Sequence, residues 1–491
     1  MSYRIFNPTG FLKNLVRKYN LIDESYYQLR YPFTQKSRLT PIRNYILEGS
    51  WRGRKANRNA TFFNNLVTVI LLWPYIAYYH GKNFSLANLS LRKFTARILD
   101  QPLIITKIPI HDINKPHSAI KMVVIEPTQK YTFHDPLVWN DPTSNKVLHE
   151  VEVPAKWLAK IRNIELIGAF QLIHKNKFIL YEPASDPRLG FVAGSWKHIK
   201  LENNRVVVDF RYTKVQHLKQ AILISGRCSP NYFHWLIEYL PKLYLVAKFP
   251  SLAKIPLIVH SKMVQQQIDS LKAVAGNWPL HWLDDTTLLK VDALYVPSVS
   301  TYHVDHMNSP FWQGGALCIK SLDFIKANIY KKFNITPGSQ PLQHKIYLGR
   351  TGVRNITNHK DVEACLRSKN IEIIYPENLS FAEQVNLFAN CSLIIGPLGA
   401  AFSNIIFCAP GTKIIGLANP VAKTYCMQAN LAKYAQCEYQ ILAGYYQTKD
   451  EVYPHSIHML HANFYIDIQD LENCIAQLNQ DKNHTQNRIS N

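Results

Sequence analysis

Acidic residues are scarce in this chain of 491 residues: 34 Asp+Glu stand against 56 Lys+Arg, a net charge of +22. Charged residues amount to only 18%, below the ~25% of an ordinary soluble protein. The positive balance therefore comes from missing acids rather than from a dense lysine coat. No C-x-x-C pair occurs among the eight cysteines, all from Cys228 onward, and several sit in apolar runs. They read as small buried hydrophobes in a reducing compartment, and neither a disulfide framework nor a zinc site is expected. No H-E-x-x-H and no Asp-x-Asp occurs, so the usual carboxylate clamp for a divalent ion is missing. No repeat of fixed period is visible. Met1 to Leu15 has no apolar h-region, so no secretory signal is expected there. The longest apolar stretch, Leu66–Tyr79, falls short of the ~20 residues of a spanning helix and is broken by Pro74.

Apolar residues are plentiful at 47%, which excludes a mainly disordered chain. The length suggests two to four domains, at about 150 residues each. The charge is uneven. Residues 1–99 hold sixteen Lys/Arg against three acids, +13 of the total. A basic end attracts nucleic acid, anionic lipid or a phosphorylated ligand alike. Phe11, Leu12, Leu15 and Val16 share one helical face, and Arg52, Arg54, Lys55 and Arg58 precede Leu66–Tyr79. Leu66–Tyr79 reads first as a buried helix or strand pair. Peripheral contact with an anionic membrane face is the sharper alternative.

The pattern divides the chain into a basic N-terminal extension (1–100), a strand-rich domain (101–335), a second domain (336–478) and a polar, frayed tail (479–491). Strands are expected at Ala119–Ile125, Lys177–Tyr181, Arg205–Phe210, Ala221–Ser225, Leu257–Val259 and Ala293–Val296. Helices are expected over Tyr232–Phe249 and Val264–Ala275. From His344 strands and short helices alternate: Lys345–Leu348, Asp361–Ser368, Ile371–Tyr375, Phe381–Ala389, Leu393–Ile395, Ala400–Phe407 and Lys413–Leu417. That rhythm indicates an α/β fold, a parallel sheet with helices on both faces. Phe464–Leu478 adds a strand and a helix.

Ligands of such sheets bind beyond the carboxyl ends of the strands. One such loop, after Leu348, carries Arg350 and Arg354 among glycines, which suits phosphate. Tyr375–Ser380 leads into a capping box of Ser380 and Glu383, a structural task, with Pro376 to Leu379 able to border a base or sugar. Gly396-Pro397-Leu398-Gly399-Ala400 enters a helix whose N-terminus suits a pyrophosphate. In the N-terminal half, His234 and Glu238 share a helical face. That pair is either a general base with its orienting carboxylate or a pair satisfying a half-buried helix.

Four ordered segments resemble glycosyltransferase family 61. NYFHWLIEYLPKLYL resembles the family's N-Y-x-H-W-x-x-E-x-L-P-x-L segment, and KIYLGRTGVRNITN its Y-I-S-R…R…N-E stretch. YPENLSFAEQVNLFANCSLIIGPLGAAFSNIIFCAPGTKIIGL resembles its P-E-x-L-S-F-x-E-Q…I-I-G-P-H-G-A…P-G-T block, and NFYIDIQDLENCIAQL its last strand and helix. The similarity runs over about 166–478. It implies a GT-B-like architecture, two Rossmann-type domains facing a cleft, and inverting transfer of a sugar from a nucleotide-diphosphate donor to a glycan or lipid-linked glycan acceptor. The setting it implies is capsule or lipopolysaccharide synthesis in the cytoplasm, peripheral to the inner membrane. No metal or other cofactor and no nucleic-acid partner are expected. By the resemblance, Arg350 and Arg354 hold the diphosphate with Gly396, Gly399 and Ala400, while Ser403 and Asn404 cap or contact the donor. His234 is the first choice of base, oriented by Glu238, and Glu238 itself the second, with Asn231 and Tyr232 on the acceptor side. Leu398, Gly416 and His359 depart from the family's His, Glu and Glu. These departures leave a non-catalytic sugar-nucleotide or glycan binder as the alternative.

Overall fold

The computed structural model describes residues 103–110, 120–175, 177–182, 195–196, 198–202, 205–208, 210, 212–301, 315–338, 342–350, 352, 354–446 and 462–489. The basic extension 1–100, with its amphipathic and apolar stretches, lies outside them. Two compact units are present, residues 1–105 with 198–210, and residues 106–197 with 211–491. Both expected domains, 101–335 and 336–478, fall largely within the second. Among the described residues no helix is long and apolar enough to cross a membrane.

The strand-rich part contains β1 (Leu103–Pro109), β2 (Ile120–Glu126), β3 (Gln129–His134), β4 (Leu148–Val153), β5 (Lys156–Ile167), β6 (Gln171–His174) and β7 (Lys177–Leu180). Then come β8 (Ser195–Trp196), β9 (Ile199–Glu202), β10 (Arg205–Val208), β11 (Lys214–Leu223), β12 (Leu257–His260), β13 (Leu280–Leu283) and β14 (Thr287–Pro297). Within the first unit, β9 and β10 form an antiparallel hairpin. In the second unit, β13, β12, β11 and β14 are parallel neighbours. β14 continues into the antiparallel run β5, β6 and β7, with β2 also on β5. Among the described residues β3 and β4 pair only with each other.

The helices of this part are α1 (Tyr232–His234), α2 (Lys242–Ala247), α3 (Gln265–Ala275) and α4 (Ile319–Phe333). The single helix expected over Tyr232–Phe249 is interrupted. Pro241 has no N–H, and its ring crowds the carbonyl four residues back, that of Ile237. Residues Trp235–Tyr239 form a π-helical turn, with the Leu240 amide bonded to the Trp235 carbonyl at 2.8 Å. The Ile237 carbonyl accepts instead from Thr301 Oγ1 at 2.6 Å.

The second sheet is fully parallel, in the order β16 (Glu372–Ile374), β15 (His344–Leu348), β17 (Cys391–Pro397), β18 (Lys413–Ala418), β19 (Glu438–Ala443). Its helices are α5 (His359–Ser368), α6 (Phe381–Ala389), α7 (Cys426–Tyr434) and α8 (Ile468–Ile489). The expected 479–491 tail is therefore helical as far as Ile489, continuing α8. Ala400–Phe407, expected as a helix, is a 3-10 helix. The Ser380–Glu383 capping box forms as expected. Side chains alternate across the sheet. Ile346, Leu348, Ile394 and Ile414 face one apolar cluster, while Tyr347, Leu393, Ile395 and Ile415 face another with Val362, Leu366 and Leu471. Burial on both faces explains why these strands read as continuous apolar runs.

The first of those clusters also contains Ile222, Trp235, Leu271 and Ile325 from the strand-rich part, so one core serves both sheets. Phe381 meets Phe333 and Phe407 edge-on at centroid distances of 5.9 and 6.0 Å. The Tyr330 hydroxyl donates to the Phe407 carbonyl at 2.9 Å. Truncation of Phe381, fully buried at this junction, is expected to cost about 3–5 kcal/mol. Urea unfolding of Phe381→Ala measures this as a lower midpoint at unchanged slope.

Candidate active site

A parallel sheet in which the first strand lies between the second and third has its topological switch point between strands one and three. Here those strands are β15 and β17, and Arg350 leaves the end of β15. Its Nη1 donates to the Leu398 carbonyl, just past β17, at 2.9 Å. The guanidinium lies over Gly399, where a Cβ would come within 2.4 Å of Nη1. Any side chain at 399 would displace the arginine.

Arg354 sits beside it, with a left-handed backbone (φ 60°). That conformation is uncommon for a residue with a side chain and recurs at ligand clamps. Its Nε is buried and has no hydrogen-bond partner in the structure. Burial, then the charge of Arg354, lowers the Arg350 guanidinium to about 10, partly offset by Glu377. Burial lowers Arg354 as well, opposed by Tyr425. Two shielded cations thus stand side by side, an arrangement that an anion relieves.

A cavity of ≈ 280 Å³ opens beside Arg350, lined by Tyr347, Asn355, His359, Glu363 and Tyr375 among others. The Tyr375 ring packs against Gly349, where a Cβ would meet it at 2.7 Å, and its hydroxyl donates to Glu363 at 3.0 Å. Asn355 Oδ1 is buried and unpartnered. Asn355 and Tyr375 lie in the two strand-end loops that the sequence singles out, whereas no spacing marks Glu363, which α5 brings in.

Several of the expected donor residues have their polar groups or their space taken up within the protein. Gly396 lies inside β17, where a Cβ would approach Leu348 Cβ to 2.9 Å, so it permits close strand packing. Ser403 and Asn404 are fully buried. Ser403 Oγ donates to the Ala400 carbonyl at 2.7 Å. Asn404 donates to Gln384 at 2.8 Å and accepts from the Tyr232 hydroxyl at 2.7 Å. These two groups brace the turn. Within Pro376 to Leu379, expected to border a base or sugar, the Glu377 and Leu379 carbonyls accept from Gln266 of α3.

Tyr232 ties this turn to the segment that carries His234. Asn231 is the N-cap, its Oδ1 accepting from the Phe233 and His234 amides. His234 Nδ1 lies 2.9 Å from Glu238 Oε1, both side chains largely covered. With Nδ1–H donated to the carboxylate, the proton-accepting lone pair falls on Nε2. Behind Glu238, the fully buried Lys242 donates to the Ser225 carbonyl at 3.3 Å and lies over the Tyr239 and Tyr181 rings. Glu182 Oε1 accepts from the Arg227 amide and the Tyr239 hydroxyl, each at 3.1 Å.

Two segments are thereby joined: arginines at a strand end, and an imidazole–carboxylate pair on a π turn. The family model Glycosyltransferase 61 matches residues 232–415. Over that stretch the chain is similar to glycosyltransferase family 61. No curated protein matches the chain. The match supports glycosyltransferase activity in general, a class that works between a sugar donor and a glycan acceptor. The match runs from α1 to β18, and so covers both contributors to the shared core. Leu398 and Gly416, the departures from the family pattern, touch in space: a Cβ at 416 would lie 2.6 Å from Leu398 Cδ2. All eight cysteines are free, five of them buried as expected. Among the described residues, the ligating atoms of Asp135, His149 and Cys426 lie within 4.8 Å of one another.

Burial lowers the Lys242 ammonium to about 8 from 10.5, opposed by Glu182 and Glu238. Below that value folded and unfolded chains both carry the proton, and the folded state bears the full burial cost. Above it only the unfolded chain holds the proton, until about 10.5, so stability rises with pH across the window. The slope is at most about 1.4 kcal/mol per pH unit. Relative to Lys242→Met, the wild-type protein should gain stability between about pH 8 and 10. Parallel stability profiles would show that the ammonium titrates normally.

Proposed function

We propose that this glycosyltransferase is an inverting, metal-independent enzyme of GT-B-like arrangement, using a nucleotide-diphosphate sugar. The observation that carries this reading is the pair of shielded guanidiniums at the β15–β17 switch point, with Arg350 held on the Leu398 carbonyl. Arg350 and Arg354 meet the diphosphate, with the Gly399–Ala400 backbone alongside. Gly396, Ser403 and Asn404 shape that turn. The nucleoside enters the adjoining cavity. The lack of Asp-x-Asp in the sequence favours leaving-group stabilisation by these cations over a clamped divalent ion.

In the proposed reaction, His234 Nε2 takes the proton of an acceptor hydroxyl. The hydroxyl oxygen attacks the anomeric carbon from the face opposite the diphosphate, and the bond to the phosphate oxygen breaks. Negative charge grows on the leaving diphosphate, where preorganised cations act without reorganisation cost. Glu238 holds Nδ1–H and stabilises the imidazolium that forms. Asn231 and Tyr232 set the acceptor side by fixing the start of this helix. The acceptor is a glycan or lipid-linked glycan of capsule or lipopolysaccharide synthesis. The enzyme works in the cytoplasm, with the basic residues of 1–100 drawing it to an anionic inner-membrane face. Nucleic acid has no part in this reading.

Arg350→Ala is expected to weaken nucleotide-diphosphate binding by about 1.5–3 kcal/mol, the worth of a charged hydrogen bond. Unchanged affinity by calorimetry removes Arg350 from the site. His234→Ala is expected to keep donor binding and lose turnover, followed as nucleotide release with a panel of sugar nucleotides and a cell-derived acceptor extract. Normal turnover in that variant excludes His234 as the base. Donor binding with neither transfer nor hydrolysis in the wild-type protein would favour a binding protein, a reading motivated by Leu398 in contact with Gly416.

A further inference from the structure

We infer that Asp135, His149 and Cys426 form a zinc site that pins the β3–β4 hairpin to the head of α7. Asp135 follows β3, His149 lies in β4, and Cys426 opens α7. Residues 14 and 277 positions apart in sequence thus place one oxygen, one nitrogen and one sulfur within 4.8 Å of one another. His149 Nε2 is 2.6 Å from Asp135 Oδ1, and Cys426 Sγ is 4.0 Å from the same oxygen. Zinc bonds of about 2.0–2.3 Å in tetrahedral geometry hold donors roughly 3.3–3.8 Å apart. A small opening of the His–Asp pair therefore admits the ion.

The exchange balances. The proton now between Nε2 and Oδ1 stays on the neutral imidazole by moving to Nδ1, and the thiol loses one proton to solvent. Zn²⁺ gains a thiolate, an imidazole and a carboxylate, so its two charges are matched in a half-buried place. A sulfur–nitrogen–oxygen set selects zinc over calcium and magnesium, which take oxygen. Cys426 is buried, but the His149 and Asp135 side chains keep 10% and 22% exposure, which leaves an entrance and a fourth position for water.

The hairpin has a reason to be pinned. Among the described residues its two strands pair only with each other, and an isolated hairpin is marginal in water. Beyond Asp135, Val138 bridges Ile441 of β19, and Phe133, Val151 and Val153 cluster with Cys426.

The test uses the full-length protein, stripped with a chelator and titrated with Co²⁺ and, separately, Zn²⁺. One equivalent of Co²⁺ should give a thiolate-to-cobalt band in the near ultraviolet, and Zn²⁺ should raise Tm. Cys426→Ser should abolish the band, and His149→Gln should weaken zinc affinity at least tenfold. Both variants should keep the wild-type circular dichroism, and His149→Gln serves if Cys426→Ser does not fold. A folded wild-type protein with no band and no zinc-dependent rise in Tm overturns the site, as does an undiminished band in folded Cys426→Ser. Neither readout depends on the reaction proposed above.

Discussion

Everything at the candidate site depends on one continuous apolar core that both sheets share. Helices α3 and α4 and the π turn press Trp235, Leu271 and Ile325 against Phe381, Phe402 and Phe407. A core common to two sheets fixes the end of β15 relative to the segment bearing His234. Polar contacts then set register rather than supply the attraction. Tyr232 on Asn404, Gln266 on the Glu377 and Leu379 carbonyls, and Tyr330 on Phe407 each join the two halves. A buried polar atom left without its partner is costly, so these pairs penalise sliding of one half over the other.

The second theme is charge held out of water. Arg350, Arg354 and Lys242 all have their charged forms disfavoured by burial. For Lys242 the compensation is internal: a carbonyl, two aromatic rings, and the fields of Glu182 and Glu238. For the arginines it is partial, since Arg354 keeps an unpartnered Nε. That imbalance is why the arginines, and not the lysine, suit an incoming anion. The left-handed backbone at Arg354 has the same sense, a local cost borne where a ligand can repay it.

Leu398 and Gly416 illustrate how a departure from a family pattern is absorbed. Neighbouring strands bring the two positions together, and Leu398 fills the volume a side chain at 416 would need. The buried Tyr439 hydroxyl close to Gly416 has no hydrogen-bond partner in the structure. The two changes are one packing event, lining the floor of the turn with carbon where the resemblance expects polar groups.

Residue order alone was enough for the alternation of strands and helices after His344, the Ser380–Glu383 cap and the clustering of Arg350 with Arg354. Those features are local: periodicity, capping chemistry and charge within a few residues. The family resemblance was legible too, because four motifs keep their order. Tertiary structure alone decided the rest. Pro241 and Thr301, sixty residues apart, convert part of a helix into a π turn. Ser403 and Asn404 look like ligand contacts in a motif, yet their hydrogen bonds are taken up by partners up to 172 residues away. Glu363 and the Asp135–His149–Cys426 cluster come from segments that no spacing rule connects. Burial and hydrogen-bond satisfaction are properties of the packed chain, and they determine whether a polar side chain braces the fold or meets a ligand.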